Sequence, residues 1–398
     1  MVALAIFSHV IGKKSRFDVL LFPPTCVYYI YAEPFGIERA AKTPKEEDMS
    51  GLHRWTIGLA TTTGLISLTI TSGIAVLAHQ FVEEFSRPHI LLDQSAFTWT
   101  VPNDGAEPPV SLQRALLFEA SDGTLLCGDF WAQETLAPTV ILCHGYRISR
   151  SHMRAIAASE YMRGYNVFLF DFRGHGDSDS VLTSGGKVEV RDLEAAIEVA
   201  IQQPETIADK IIVHGFSMGA SVALMTPPHP AVAAIVADSP YARSDDIMRR
   251  IVQYQLTQQS KQWPALLRHL KFLFPTIAWA ITSTGFMFFH VRFGYNVVAR
   301  PDITFRRWKN RAKKMLQQRT IPILLVHSRQ DELIPFTHAQ QIAAEAKACD
   351  TPLETYFVEE GLHCGAYAQN PQQYTRILLA FLQRALGDDF PKQSEKSA

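Results

Sequence analysis

Apolar and polar positions follow three regimes along the chain. Residues 55–78 are apolar or small and carry no charge, residues 111–131 alternate, and from 139 onward short apolar runs take turns with stretches of helical spacing. The alternating stretches 111–119 and 124–131 flank Ser121-Asp122-Gly123, which predicts a hairpin. Strands are predicted at 139–143, 166–171, 210–214, 231–237, 321–327 and 353–358. Helices are predicted at 151–163, 188–202, 218–225, 337–348 and 371–386. Strands alternating with helices imply an α/β fold: a mainly parallel, doubly wound sheet covered on both faces. Residues 243–315 interrupt this rhythm before the penultimate strand. An excursion that long must have structure of its own, and a helical cap is the expectation. Residues 79–110, with Pro102, Pro108 and Pro109, read as a linker, 111–388 as the folded domain and 389–398 as a flexible tail.

The run 55–78 exceeds the ~20 apolar residues that span a bilayer and predicts a transmembrane helix. It also exceeds the apolar region of a cleavable signal peptide, although Val76-Leu77-Ala78 resembles a cleavage site. Lys13, Lys14, Arg16, Arg39, Lys42, Lys45 and Arg54 precede it, whereas Arg87 is the one basic residue close behind. That bias predicts a single-pass membrane protein with residues 1–54 in the cytoplasm and the folded domain exported. Met49, just ahead of the run, is an alternative start. A second apolar stretch, 272–291, is interrupted by Pro275.

Composition narrows the function classes. Of 398 residues, 38 are Lys or Arg and 39 Asp or Glu, a balance that argues against bulk nucleic-acid binding. The 47 % hydrophobic content excludes extended disorder. Cys26, Cys127, Cys143, Cys349 and Cys364 show no C-x-x-C spacing, so neither a zinc knuckle nor a disulfide framework is supported. A single disulfide remains compatible with an exported domain.

The chemistry concentrates at strand ends. Gly215-Phe216-Ser217-Met218-Gly219 lies between a predicted strand and a predicted helix. Glycines at both ends allow the sharp turn that lifts a serine hydroxyl out of the sheet, and the helix behind it aims its amides at a developing oxyanion. Ser217 is therefore the candidate nucleophile; the plainer reading is a glycine-bounded turn. A serine needs a base, and the base an orienting acid. Asp331 follows one strand and His363 the next, in the chain order such an assembly requires. Taken singly, Asp331 could be a turn or N-cap residue and His363 a surface histidine. Asp238, ending another strand, is an alternative acid. His175 and Asp177 sit in a Gly-rich turn before the serine. In His144-Gly145-Tyr146 a backbone amide, that of Tyr146, can supply a second oxyanion donor beside the Met218 amide. Cys364 adjoins the candidate base but has no elbow around it.

Cys143-His-Gly-Tyr146, Asp171-Phe-Arg-Gly-His-Gly176, the elbow, Asp238-Ser-Pro-Tyr241, Asp331-Glu-Leu-Ile-Pro335 and Glu360-Gly-Leu-His363 span about 112–386. With these motifs the chain resembles the α/β-hydrolase superfamily. Within it, the likeness is to the bacterial membrane-anchored group related to serine aminopeptidases and monoglyceride lipases. The resemblance implies Ser217 as nucleophile, Asp331 as acid and His363 as base, with no metal and no organic cofactor. Ser328 departs from the pattern, since many relatives carry glycine there. The cap matches no pattern.

A triad also bears on the second apolar stretch. A single crossing at 272–291 would separate Ser217 from Asp331 and His363, so the stretch reads as a lid. Its aromatics, Phe272, Phe274, Trp279, Phe286, Phe288 and Phe289, suit an acyl-binding wall; a lid packed only on its own domain is the plainer reading. Residues 300–314 hold seven basic residues against one acid, either a solvated helix face or a contact for anionic headgroups. The expected function is hydrolysis of a carboxylic ester with an apolar acyl group, the partners being a small or lipid-like ester and the membrane. A serine peptidase or amidase would use the same triad, an acyltransferase would need only an alcohol acceptor, and a non-catalytic tethered scaffold would not need Ser217 at all.

Overall fold

The computed structural model describes residues 44–90, 107–264, 268–294, 296–315 and 320–387. Residues 1–43 with Cys26, the part of the expected linker containing Pro102, and the expected tail lie outside the described residues. The chain divides into two compact units, Met1–Ala78 with Val252–Thr284, and His79–Ile251 with Gly285–Ala398.

The second unit is built on one eight-stranded sheet. Its strands are β1 Gln113–Glu119, β2 Leu125–Trp131, β3 Ala137–Cys143, β4 Asn166–Phe170, β5 Thr206–Phe216, β6 Val232–Asp238, β7 Ile323–Ser328 and β8 Leu353–Val358. They lie in the order β1-β2-β4-β3-β5-β6-β7-β8. Pairs β1–β2 and β2–β4 are antiparallel, and the remainder are parallel. The sheet is thus the mostly parallel α/β-hydrolase arrangement, with a cap segment entering between β6 and β7. The strand order reverses at β3. The carboxyl ends of β3 and β5 on either side of such a reversal are where α/β sheets bind their ligands.

Period-2 geometry explains the continuous apolar runs. Ile141 and Cys143 of β3, with Phe168 and Phe170 of β4, enter the core on one face. Val140, Leu142, Val167 and Leu169 enter the core on the other. A strand buried on both faces has no position left for a polar side chain. Thr139 and Asn166 are the informative exceptions, each buried and hydrogen-bonded: Thr139 pairs with the Thr206 hydroxyl at 2.8 Å, and the Asn166 amide donates to Ala137 O at 3.0 Å.

Helices follow as α1 Pro44–Ser86, α2 Arg154–Met162, α3 Val190–Ile201, α4 Met218–Met225, α5 Ser244–Ser260, α6 Phe274–Phe293, α7 Thr304–Met315, α8 Thr337–Ala348, α9 Ala366–Gln369 and α10 Pro371–Leu386. The excursion 243–315 contains α5, α6 and α7. The first of the expected linker residues are helical instead: α1 continues through Ser86. Residue 78 ends the apolar run, but His79-Gln-Phe-Val-Glu-Glu-Phe keeps apolar side chains at 81, 82 and 85, one helical face. Val82, Phe289 and Val297 are buried together, with Phe81 and Phe85 packed against them.

Among the described residues two helices are long and apolar enough to cross a membrane, Ala60–Ser86 and His269–Phe293. In the first unit Leu65, Leu68 and Ile70 are exposed. Trp263 and Phe274 meet edge to face at 5.6 Å.

Candidate active site

The site is assembled at the carboxyl ends of β3, β5, β6, β7 and the loop beyond β8. Where β5 ends, Ser217 adopts φ 53° and ψ −113°, a conformation rare for a residue with a side chain. Its neighbours explain how the turn closes. A Cβ on Gly215 would stand 2.5 Å from the Gly219 carbonyl oxygen, and one on Gly219 would run into the Cys143 carbonyl. Only hydrogen fits at either place. The Ser217 amide donates to Asp238 O at 2.9 Å, which ties the turn to β6. Helix α4 begins at the next residue, so its N-terminal amides face the serine.

The three expected side chains converge. His363 Nε2 is 2.8 Å from Ser217 Oγ, and His363 Nδ1 is 2.8 Å from Asp331 Oδ2. Donation from Nδ1 to the carboxylate leaves Nε2 to accept the serine proton. Asp331 is held in place by its own loop: Oδ1 accepts from the amides of Leu333 at 3.0 Å and Ile334 at 2.8 Å. Burial opposes its charge, but His363 and the Ile334 amide outweigh that and keep the carboxyl below its ordinary range. Burial opposes a charged His363, but the Asp331 carboxylate bonded to Nδ1 outweighs that and raises the ring's pKa above the usual histidine value.

The two expected oxyanion donors belong to residues next to this turn: Met218 follows Ser217 in the chain. Gly145 lies against the turn, its would-be Cβ 3.4 Å from Ser217 Cβ, and Tyr146 follows it. Among the described residues neither the Tyr146 nor the Met218 amide donates to a protein acceptor. The loop that carries Tyr146 is fastened by two imidazoles. His144 Nε2 accepts the Phe172 amide at 3.0 Å, which leaves Nδ1–H to donate to Gly145 O at 2.7 Å. His175 Nε2 accepts the Arg147 amide at 3.3 Å, and its Nδ1–H donates to Arg173 O at 2.9 Å. Burial lowers the pKa of both rings, in keeping with neutral tautomers.

A sequence model of the alpha/beta hydrolase family matches residues 140–376. The chain belongs to the alpha/beta hydrolase family. Among curated relatives, YqkD, an uncharacterized protein of Bacillus subtilis, is 25 % identical over 254 residues, 61 % of this chain and 70 % of YqkD. YfhR of Escherichia coli K12, also uncharacterized, is 22 % identical over 278 residues, 68 % of this chain and 80 % of YfhR. An esterase of Pyrococcus furiosus has the same fold, with TM-score 0.54, 24 % identity, and coverage of 76 % of this chain and 98 % of that one.

In this hydrolase the alternative acid, Asp238, does not reach the base. It is buried with Tyr374 Oη at 3.2 Å and Ser239 Oγ at 2.9 Å, and burial raises its pKa to about 7 despite those bonds. Cys364 Sγ lies 3.6 Å from His363 Nε2, and burial raises the thiol's pKa, keeping it protonated. Cys127, Cys143, Cys349 and Cys364 are free thiols. Among the described residues no group of three or more His, Cys, Asp or Glu is placed to hold a metal ion.

Sequence reading missed several fastening residues. Ser328, the departure from the family pattern, donates to Gly361 O at 2.6 Å and accepts the Gln330 amide at 3.2 Å, tying the acid loop to the histidine loop. Glu189 is a fully buried carboxylate whose acceptors are filled by Ser184 N at 2.8 Å, Gly186 N at 2.7 Å and the hydroxyls of Thr183 and Ser184 at 2.5 and 2.6 Å. Its sequence signal was the Thr-Ser-Gly-Gly cluster just upstream, whose donors require an acceptor.

Proposed function

We propose that this protein is a membrane-anchored serine hydrolase that cleaves carboxylic esters with an apolar acyl group. The observation that carries the reading is the unbroken chain from Ser217 through His363 to Asp331, with 2.8 Å at both links. In the proposed reaction His363 Nε2 takes the Ser217 proton as Oγ attacks the ester carbonyl. The Tyr146 and Met218 amides receive the oxyanion, and preorganised donors of this kind supply a large share of such catalysis. His363 then protonates the departing alcohol. Water, deprotonated by the same ring, releases the acid and restores Ser217. Asp331 keeps Nδ1 protonated and the ring aligned.

Support for an ester substrate comes from the P. furiosus esterase, whose fold this chain shares. Support for an apolar acyl group comes from the aromatic residues Phe286, Phe288 and Phe289 of α6, which share the second unit with the triad. The anchor is residues 55–78, with 1–54 cytoplasmic, 111–388 exported and the cap at 243–315. This rests on charge bias and on the apolar helix Ala60–Ser86. The test is hydrolysis of p-nitrophenyl esters of rising acyl length by the full chain in detergent, beside Ser217→Ala. Turnover confined to the wild type supports the reading, and the preferred length sizes the pocket. Equal rates in both proteins would sink it. A C-terminal alkaline phosphatase fusion active in intact cells supports the orientation; an inactive one with a fluorescent cytoplasmic counterpart reverses it.

A further inference from the structure

The last eight residues of α1 and the four beyond it do more than leave an anchor. The final carbonyls of a helix have no partner within it. Here two of them, and one carbonyl just beyond the helix, are taken by loops of the catalytic unit. Tyr146 Oη donates to Phe85 O at 2.9 Å, Thr183 N donates to Ser86 O at 3.0 Å, and Arg147 Nε donates to His89 O at 3.1 Å. Two of these three donors belong to the residue proposed to hold the oxyanion and to its successor.

Side chains reinforce the contact. The Phe85 ring stacks on Tyr146, 4.9 Å between centroids and 17° between planes, and meets Phe289 edge to face at 6.0 Å. On another side Phe85 fills the space above Gly185, where a Cβ would stand 2.5 Å from its ring; Gly185 has φ +67°. The loop bearing Gly185 is rigid, because Glu189 gathers its donors and Tyr241 Oη donates to Gly185 O at 2.5 Å. Phe85 is therefore wedged between a fixed loop and Tyr146, while Ser86 is fully buried.

We infer that Phe85 is a positioning residue: through Tyr146 it sets the height of the oxyanion amide over Ser217, so the end of the anchor helix is a working part of the active site. The inference rests on the serine-hydrolase reading. It acts on the transition state, because only there is charge on the carbonyl oxygen for the Tyr146 amide to meet.

The experiment uses the full chain in detergent, with p-nitrophenyl ester kinetics and two reversible inhibitors. One is an alkyl trifluoromethyl ketone, whose hemiketal oxyanion occupies the hole, and the other is the unfluorinated ketone of the same length. Phe85→Ala should lower kcat on the order of 100-fold, as misplacement of a catalytic group by about 1 Å does, with KM little changed. Affinity for the trifluoromethyl ketone should fall by the same factor as kcat/KM, and affinity for the parent ketone should not. Phe85→Tyr, which keeps the stacking ring, should restore most of the rate. Tyr146→Phe keeps ring and amide but loses the bond to Phe85 O, and should cost about five-fold in kcat. It serves equally if Phe85→Ala does not fold. Wild-type kcat and wild-type trifluoromethyl ketone affinity in either Phe85→Ala or Tyr146→Phe overturn the inference. So does a loss shared equally by both ketones, which would make Phe85 a pocket wall. A wild type no faster than Ser217→Ala is a different failure: it removes the hydrolase reading and this inference with it.

Discussion

The elbow around Ser217 and the long helix α6 are held by opposite means. At the elbow atoms are excluded: no Cβ fits at Gly215 or Gly219, Ser217 is bent into a rare conformation, and its amide is spoken for by Asp238. Each residue is fixed by what the position forbids. In α6 atoms are plentiful: Phe286, Phe288, Phe289 and Phe293 supply apolar area, and burial energy depends on area rather than on which side chain provides it. A site built by exclusion fails at single atoms. A surface built by abundance gives way gradually.

Four experiments press on that contrast, from the largest expected effect down. Ser217→Ala should cut ester hydrolysis roughly 10⁶-fold, the scale seen when a triad nucleophile is removed; a residual rate within 100-fold would place the nucleophile elsewhere. Asp331→Asn should lower kcat on the order of 10⁴-fold, since the ring loses the partner that fixes its tautomer. The same variant tests the pH dependence. His363 accepts a proton only when neutral and its pKa lies above 6.5, so kcat/KM should rise with pH through an inflection above 6.5, and that inflection should move down in Asp331→Asn. Gly219→Ala should destabilise by about 1–3 kcal/mol, because the new methyl meets backbone that cannot step aside; denaturant unfolding reads it. Met287→Leu, at an exposed position of α6, should change stability by less than about 1.5 kcal/mol and leave the hydrolytic rate intact. A collapse of activity there would mean the cap is as exacting as the elbow.

The same contrast decides what could be read from sequence. Glycine spacing at 215 and 219, and acid and base at the ends of two successive strands, are steric and topological requirements, so Ser217, Asp331 and His363 could be singled out before any coordinates. The strand alternation gave the sheet for a similar reason: two faces impose a period. Apolar run length carried less. The run 55–78 ended where polar residues began, yet α1 continued to Ser86, because a helix stops at its capping environment and not at its last apolar residue. The environment at Phe85 comes from residues about 60 and 100 positions away, Tyr146 and Gly185, and no local pattern encodes such a meeting. Ser328 was conspicuous as a departure but silent on its purpose, since its acceptor, Gly361 O, lies on the following loop.

The neutral rings of His144 and His175 bear on how the enzyme meets acid. Each has a folded pKa below its unfolded one, so below about pH 6.5 the unfolded chain takes up protons that the native fold refuses. Stability contributed by these two rings is present above that pH and drains away as pH falls through their folded values. Once protonated, each ring would point an N–H at an amide that is itself a donor, Phe172 N for one and Arg147 N for the other. Acid should therefore act twice: first reversibly, as His363 charges and turnover stops, then at lower pH by prising loose the loop that carries Tyr146. A protein returned from the first stage to the pH of full turnover should recover at once, whereas one taken through the second should recover only as fast as that loop can reseat.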